Sequence, residues 1–149
     1  MSRVLALDYG RARGGCAISD PTGTLATPLP TVERPPTRRG LATIRRIVAE
    51  HAVDRVVVGL PLTLGGEEGA QARETRAFVD RLARSIGVPV ELHDERFTTR
   101  QAARAAEAGG GTASSEDSRA AAYLLEAYLA TAGEGTLGSP QAAPEPASR

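Results

Sequence analysis

The chain has 149 residues, enough for one domain with a real core, and a formal net charge of zero, so no global basic field marks a nucleic-acid partner. Any such partner has to be held by a local patch. Arginine supplies all 18 Lys-or-Arg positions, and the single cysteine, Cys16, has no intrachain disulfide partner and no metal-ligand spacing in its flanks. The start lacks a signal-type apolar run and no stretch is long enough to span a bilayer; the expectation is a cytoplasmic protein with no membrane partner.

The chain opens on VLALDYGRARGG, residues 4–15. The continuous apolar run over 3–8 predicts a strand buried on both faces, ending on the carboxylate of Asp8. GGCAISD (14–20) predicts a second strand, PTG (21–23) a turn, and TLATPLPTV (24–32) a third strand weakened by two prolines. Short turns between close-spaced strands predict an antiparallel meander. A helix is expected over about 39–51, with Leu41, Ile44, Ile47 and Val48 on one stripe. DRVVVGL (54–60) predicts the fourth strand, about 67–86 a helix burying Phe78, Val79, Leu82 and Ile86, and VPVELHDER (88–96) the fifth strand. A short alanine-rich helix at about 98–107, a glycine-rich connection and an amphipathic helix at about 115–131 follow. Residues 133–149, rich in Gly, Pro, Ala and Ser, are expected to be a disordered tail behind a folded domain of 1–132.

Strands separated by helices run parallel through right-handed crossovers. The expected fold is therefore α/β, with a five-stranded mixed sheet that is antiparallel in its first three strands, parallel in its second half and flanked by helices. In such sheets ligand chemistry sits outside the carboxyl ends of the parallel strands. Asp8 stands there, and Asp94 and Glu95 end the fifth strand on the same edge; periodicity does not choose between those two. Asp117, expected in the first turn of the last helix, is four residues before Ala121 and seven before Leu124, so it shares their face.

Clustered carboxylates resist joint ionisation unless a cation sits between them. Oxygen-only ligand sets suit Mg²⁺ or Mn²⁺, which polarise phosphate oxygens and activate water. Arg11 and Arg13 then have a task beside Asp8, holding flanking phosphates. Singly, each acid has a plainer reading. Asp8 is a turn residue. Asp117 is a helix N-terminal acid with Ser114 or Ser115 as cap. Glu95 pairs with Arg96. Likewise Arg38, Arg39, Arg45 and Arg46 read as a solvated helix face. The fall of all three acids on one predicted edge favours a site.

DYG at 8–10, VVVGLPLTLGG at 56–66, HDERFTT at 93–99 and DSRAAAYLLEAYL at 117–129, in that order and spacing, resemble the landmarks of the YqgF family. These are Holliday-junction-resolvase-like proteins, also described as pre-16S rRNA nucleases. The resemblance covers nearly all of the chain except the tail. It implies a ribonuclease H-like fold and a metal-dependent nuclease site of Asp8, Glu95 and Asp117, preferring Glu95 to Asp94. It also implies a role in maturing the 5′ end of 16S rRNA, with Mg²⁺ or Mn²⁺ as cofactor. The expected substrate is structured RNA (pre-16S rRNA), with branched DNA as the alternative and ribosomal particles as further partners of a monomer or weak homodimer. Arg11, Arg13, Arg96 and Arg119 are the expected nucleic-acid contacts. The chain departs from the family pattern at Ala12, where a Lys is usual, at Gly14, where a branched aliphatic is usual, and in GTASSED, which lacks the family's basic run before the last Asp. Phosphate attraction there is expected to be weaker.

Two other function classes remain. One is a non-catalytic nucleic-acid-binding protein associated with ribosomes or transcription. The other is an actin-like or sugar-kinase-like phosphotransferase, because DYG before a turn resembles their first phosphate loop. That chemistry needs a second domain of similar fold, which one domain of this length does not supply.

Overall fold

A computed structural model of the chain describes residues 3–63, 65–95 and 113–135. The elements are β1 (Val4–Asp8), β2 (Arg13–Ser19), β3 (Ala26–Glu33), α1 (Arg38–Glu50), β4 (Arg55–Leu60), α2 (Ala70–Ser85), β5 (Val90–Asp94) and α3 (Ala113–Gly135). The strands form one sheet in the order β3-β2-β1-β4-β5. β2 is antiparallel to both β1 and β3, whereas β1, β4 and β5 are parallel, which is the expected mixed sheet. The helix expected at 98–107 and the glycine-rich connection after it lie outside the described residues.

β1 and β4 read as unbroken apolar runs because both of their faces are covered. Leu5, Leu7, Val56 and Val58 face α1 and α2, while Val4, Ala6 and Val57 face α3. β3 survives its prolines because it is an edge strand, where half the backbone donors have no ladder partner to lose; Pro28 stands opposite Ala17 without ending the strand. Thr37 starts α1 by accepting the Gly40 N–H at 3.1 Å. α1 buries Leu41 and Ile44, with Ile47 and Val48 packed behind them.

Three helix boundaries differ from the sequence expectation; one is the end of α3, which runs to Gly135 rather than 131, so 133–135 are helical and not part of the expected tail. α2 begins at Ala70 rather than 67, because Glu67 and Glu68 belong to the loop. There the Thr63 hydroxyl accepts the Glu67 N–H, Leu62 bridges to Glu68, and Glu68 binds Arg76. α3 begins at Ala113, so Asp117 is its fifth residue and Glu116, not Asp117, is the acid of the first turn. The capping reading of Asp117 loses its basis with that, since Ser114 and Ser115 are already helical. Ala121, Leu124, Leu125 and Tyr128 are buried on α3, and the first two mark the face that the sequence spacing gives to Asp117. Among the described residues no helix is long and apolar enough to cross a membrane.

Candidate active site

Strand alternation decides which acids meet. Asp8 follows Val4 and Ala6 onto the α3 face of the sheet. On β5, Val90 and Leu92 pack with the α1/α2 core, while Glu91 and His93 meet Tyr128 of α3. The Glu95 N–H continues the ladder by donating to the Leu60 carbonyl at 3.2 Å. Glu95 therefore falls on the α3 face with Asp8, and Asp94 on the opposite one. This resolves what periodicity left open.

Between them runs β4, and its Gly59 shares that face. A methyl group on Gly59 would overlap Oε1 of Glu95 and press on Leu124 at 3.3 Å. The missing side chain is thus the space in which the Glu95 carboxylate lies over the sheet, close enough to Asp8 to feel its charge.

A second glycine brings in the third acid. Gly15 stands directly opposite Asp8 on β2, and a side chain there would overlap the backbone carbonyl of Asp117. Ser118 fixes the same contact: it is 3% exposed, its hydroxyl donates to the Leu29 carbonyl, and it accepts the Cys16 N–H at 3.5 Å. α3 comes down on β2 backbone to backbone, which sets Asp117 beside Asp8. The sequence reading missed Gly15, Gly59 and Ser118. Their signals were present: glycines inside strands, and a serine three residues before Ala121 on the buried stripe.

Burial first, and then the negative charge of Asp117, pushes the Asp8 carboxyl up to about 6. Burial, then Asp8, then Asp94, pushes Glu95 up to about 7. The charges that raise both groups come from other carboxylates, so the pair is an all-oxygen, half-buried donor set that repels itself. That chemistry fits Mg²⁺ or Mn²⁺. As they stand, no three Asp, Glu, His or Cys side chains among the described residues are close enough to hold one ion together. Asp117 Oδ2 is instead bound by Arg13 Nε at 3.0 Å.

The arginines expected to hold phosphate are also placed. Arg11 binds Glu74 at 2.9 Å, and Glu74 accepts the Tyr9 hydroxyl as well. Tyr9 stacks on Phe78 of α2, with ring centroids 4.4 Å apart. Arg119 is half-buried on α3, two residues after Asp117, and Arg96 lies outside the described residues. Arg11 and Arg13 are thus engaged with acids rather than free. Their side chains are 80% and 42% exposed, and exposed ion pairs are worth only about 0–1 kcal/mol, so a phosphate can displace either acid.

The family model RuvX, described as Holliday junction resolvase, matches residues 2–131. A protein of Chloroflexus aggregans described as "Putative pre-16S rRNA nuclease" is 51% identical over 96 residues, 64% of this chain and 68% of its own length. One of Anaeromyxobacter sp. strain Fw109-5 with the same description is 44% identical over 131 residues, 85% of this chain and 96% of its own. Among solved structures, Thermus thermophilus RuvC in complex with Holliday junction substrate has a TM-score of 0.56 at 17% identity, covering 89% of this chain and 97% of that one. That likeness, with the sheet order, makes the fold ribonuclease H-like. The family match spans every described element except the last four residues of α3, and the chain belongs to the RuvX family, the YqgF family of the sequence resemblance.

Proposed function

We propose that this chain is a metal-dependent endonuclease of structured RNA, acting on pre-16S rRNA in the maturation of the 16S 5′ end. Residues 1–132 carry the activity, in the cytoplasm, as a monomer or weak homodimer that meets its substrate free or on ribosomal particles. The observation behind it is the meeting of Asp8 and Glu95 over Gly59, with α3 seated on Gly15 so that Asp117 stands beside Asp8. The family match and the names of the relatives support hydrolysis of a nucleic acid, and the relatives' names support RNA.

Asp8, Glu95 and Asp117 are the residues that would hold Mg²⁺ or Mn²⁺, which when bound supplies a polarised phosphate oxygen and an activated water. Burial and neighbouring carboxylates raise Asp8 and Glu95, so a cation held between them would favour their ionised forms. Arg13 and Arg11 give up Asp117 and Glu74 to take substrate phosphates, which a guanidinium binds through two parallel hydrogen bonds. Arg96 and Arg119 are the further contacts. The one thiol is no nucleophile: Cys16 is fully buried, and burial pushes it up to about 12.

The test is cleavage with Mn²⁺ of a labelled RNA spanning the 16S 5′ end, beside a labelled four-way DNA junction. Wild type is expected to cut the RNA, and Asp8→Ala to lose at least about a hundredfold in rate while keeping its circular dichroism spectrum. Undiminished cutting by Asp8→Ala sinks the mechanism. The second reading, a junction resolvase, is favoured by the family description and by the likeness to a junction-bound RuvC. Junction cutting without RNA cutting selects it, and silence on both substrates from a folded, metal-loaded protein leaves a binding role.

A further inference from the structure

We propose that the cleft between α1 and α2 is a second nucleic-acid contact, one that binds the phosphodiester backbone of structured RNA away from the carboxylate edge. The proposal rests on the reading of the chain as acting on structured RNA. The cleft has a volume of about 290 Å³ and is lined by Arg38, Leu41 and Arg45 from α1 and by Arg81, Arg84 and Ser85 from α2. All four arginines are exposed to solvent, and none of them forms an ion pair among the described residues.

The nearby acids are committed elsewhere. α1 has one acid, Glu50, which faces Arg46 at 3.9 Å. α2 has two: Glu74 binds Arg11, and Asp80 acts on Arg76. The two helices together carry eight arginines against three acids, although the whole chain is neutral. Four arginines lining one concavity, without a carboxylate among its lining residues, suit an anion with two acceptor oxygens. The Ser85 hydroxyl is already turned to the Arg81 carbonyl, which leaves the arginines as the donors of the cleft. Arginines on exposed helix faces meet the phosphates on the outside of a folded RNA, so the contact is with backbone. Arg81 acts on the hydroxyl of Tyr9, the residue after Asp8.

The experiment is fluorescence anisotropy with a labelled hairpin RNA, over a salt series from about 50 to about 200 mM. It compares wild type, Arg45→Ala/Arg84→Ala, and Arg39→Ala/Arg46→Ala, which removes the same charge from α1 outside the cleft. The cleft pair is expected to bind about tenfold more weakly and to lose between one and two from the slope of log affinity against log salt. The control pair is expected to stay within about threefold of wild type. In cleavage the cleft pair should show the loss as a KM raised about tenfold. Equal losses from both pairs would show a diffuse field without a site, and no loss from either would show no contact; each overturns the proposal. Displacement of the RNA by poly-glutamate as readily as by unlabelled duplex would assign the cleft to an acidic protein and also overturn it. If wild type binds RNA through the cleft yet cuts nothing, the nuclease reading fails and the cleft stands. If wild type cuts and the cleft pair binds normally, the reverse holds.

Discussion

On one side of the sheet, α1 and α2 bury Leu41, Ile44, Phe78, Val79 and Leu82 against Leu5, Leu7, Ile18, Val56 and Val58. On the other, α3 sets Ala121, Ala122, Leu124, Leu125 and Tyr128 against Val4, Ala6, Ala17 and Val57. Charge divides the same way: eight arginines and three acids on α1 and α2, one arginine and four acids on α3. The face with large side chains supplies most of the apolar burial and a positive field. The face with alanines and glycines lets a helix approach the sheet backbone, and that approach is what gathers carboxylates. A net charge of zero conceals two surfaces suited to opposite ligands, an anion on one and a cation on the other.

The sharpest way to break this comparison is one substitution on each face. Gly15→Val puts a side chain into the Asp117 carbonyl and must lift the start of α3. Cleavage is expected to fall at least about a hundredfold for an overpacking cost of about 1–3 kcal/mol. Leu82→Ala, fully buried on the other face, should cost about 2–5 kcal/mol of stability yet leave the cleavage rate per folded molecule within about twofold of wild type. Urea unfolding beside single-turnover cleavage reads both. If Leu82→Ala silences the folded enzyme, or Gly15→Val leaves it active, the division of labour between faces is wrong.

A smaller effect comes from pH. Asp8 and Glu95 sit at about 6 and about 7 in the fold, above an ordinary carboxyl in the unfolded chain. The folded state therefore binds their protons more tightly. The stability this confers is complete below about pH 4 and is lost as pH rises through about 6 and about 7. In EDTA at about pH 8, Asp8→Asn should be more stable than wild type by something on the order of 2 kcal/mol, and at about pH 4 the two should coincide. Urea midpoints at the two pH values measure it. A variant less stable than wild type at the higher pH would mean that a favourable partner of Asp8 outweighs its burial and the charge of Asp117.

Much of this was legible in the sequence because the signals are local. The apolar continuity of β1 and β4, the PTG turn and the stripe on α3 each report their own burial. What was not legible depends on two segments at once. Alternation separates Asp94 from Glu95, but only the docking of α3 says which face is the site. Gly15 and Gly59 act through space left empty for Asp117 and Glu95, and a sequence does not display what fills a gap. Arg38 and Arg45 read as a solvated helix face, and they are exposed; the cleft exists only because Arg81 and Arg84 of another helix stand across from them. The acids at Glu67 and Glu68 look like a helix start, and it is the contact with Thr63 and Leu62 across the loop that holds them out of α2.

The smallest effect expected bears on the arginine bound to a candidate metal-ligating acid. Arg13 places a guanidinium on Asp117, an acid proposed to face the metal, so the ion and the arginine compete for one carboxylate. The pair is exposed enough that its loss should cost less than about 1 kcal/mol of stability. Arg13→Gln should then bind Mn²⁺ about two- to fivefold more tightly by calorimetry, because no ion pair has to be given up first. The same variant should bind RNA more weakly, since the guanidinium that would take a phosphate is gone. Opposite movements of the two affinities are what a shared carboxylate requires. Unchanged Mn²⁺ binding in Arg13→Gln would place Asp117 outside the ion's ligands and leave Asp8 and Glu95 as the whole cation site.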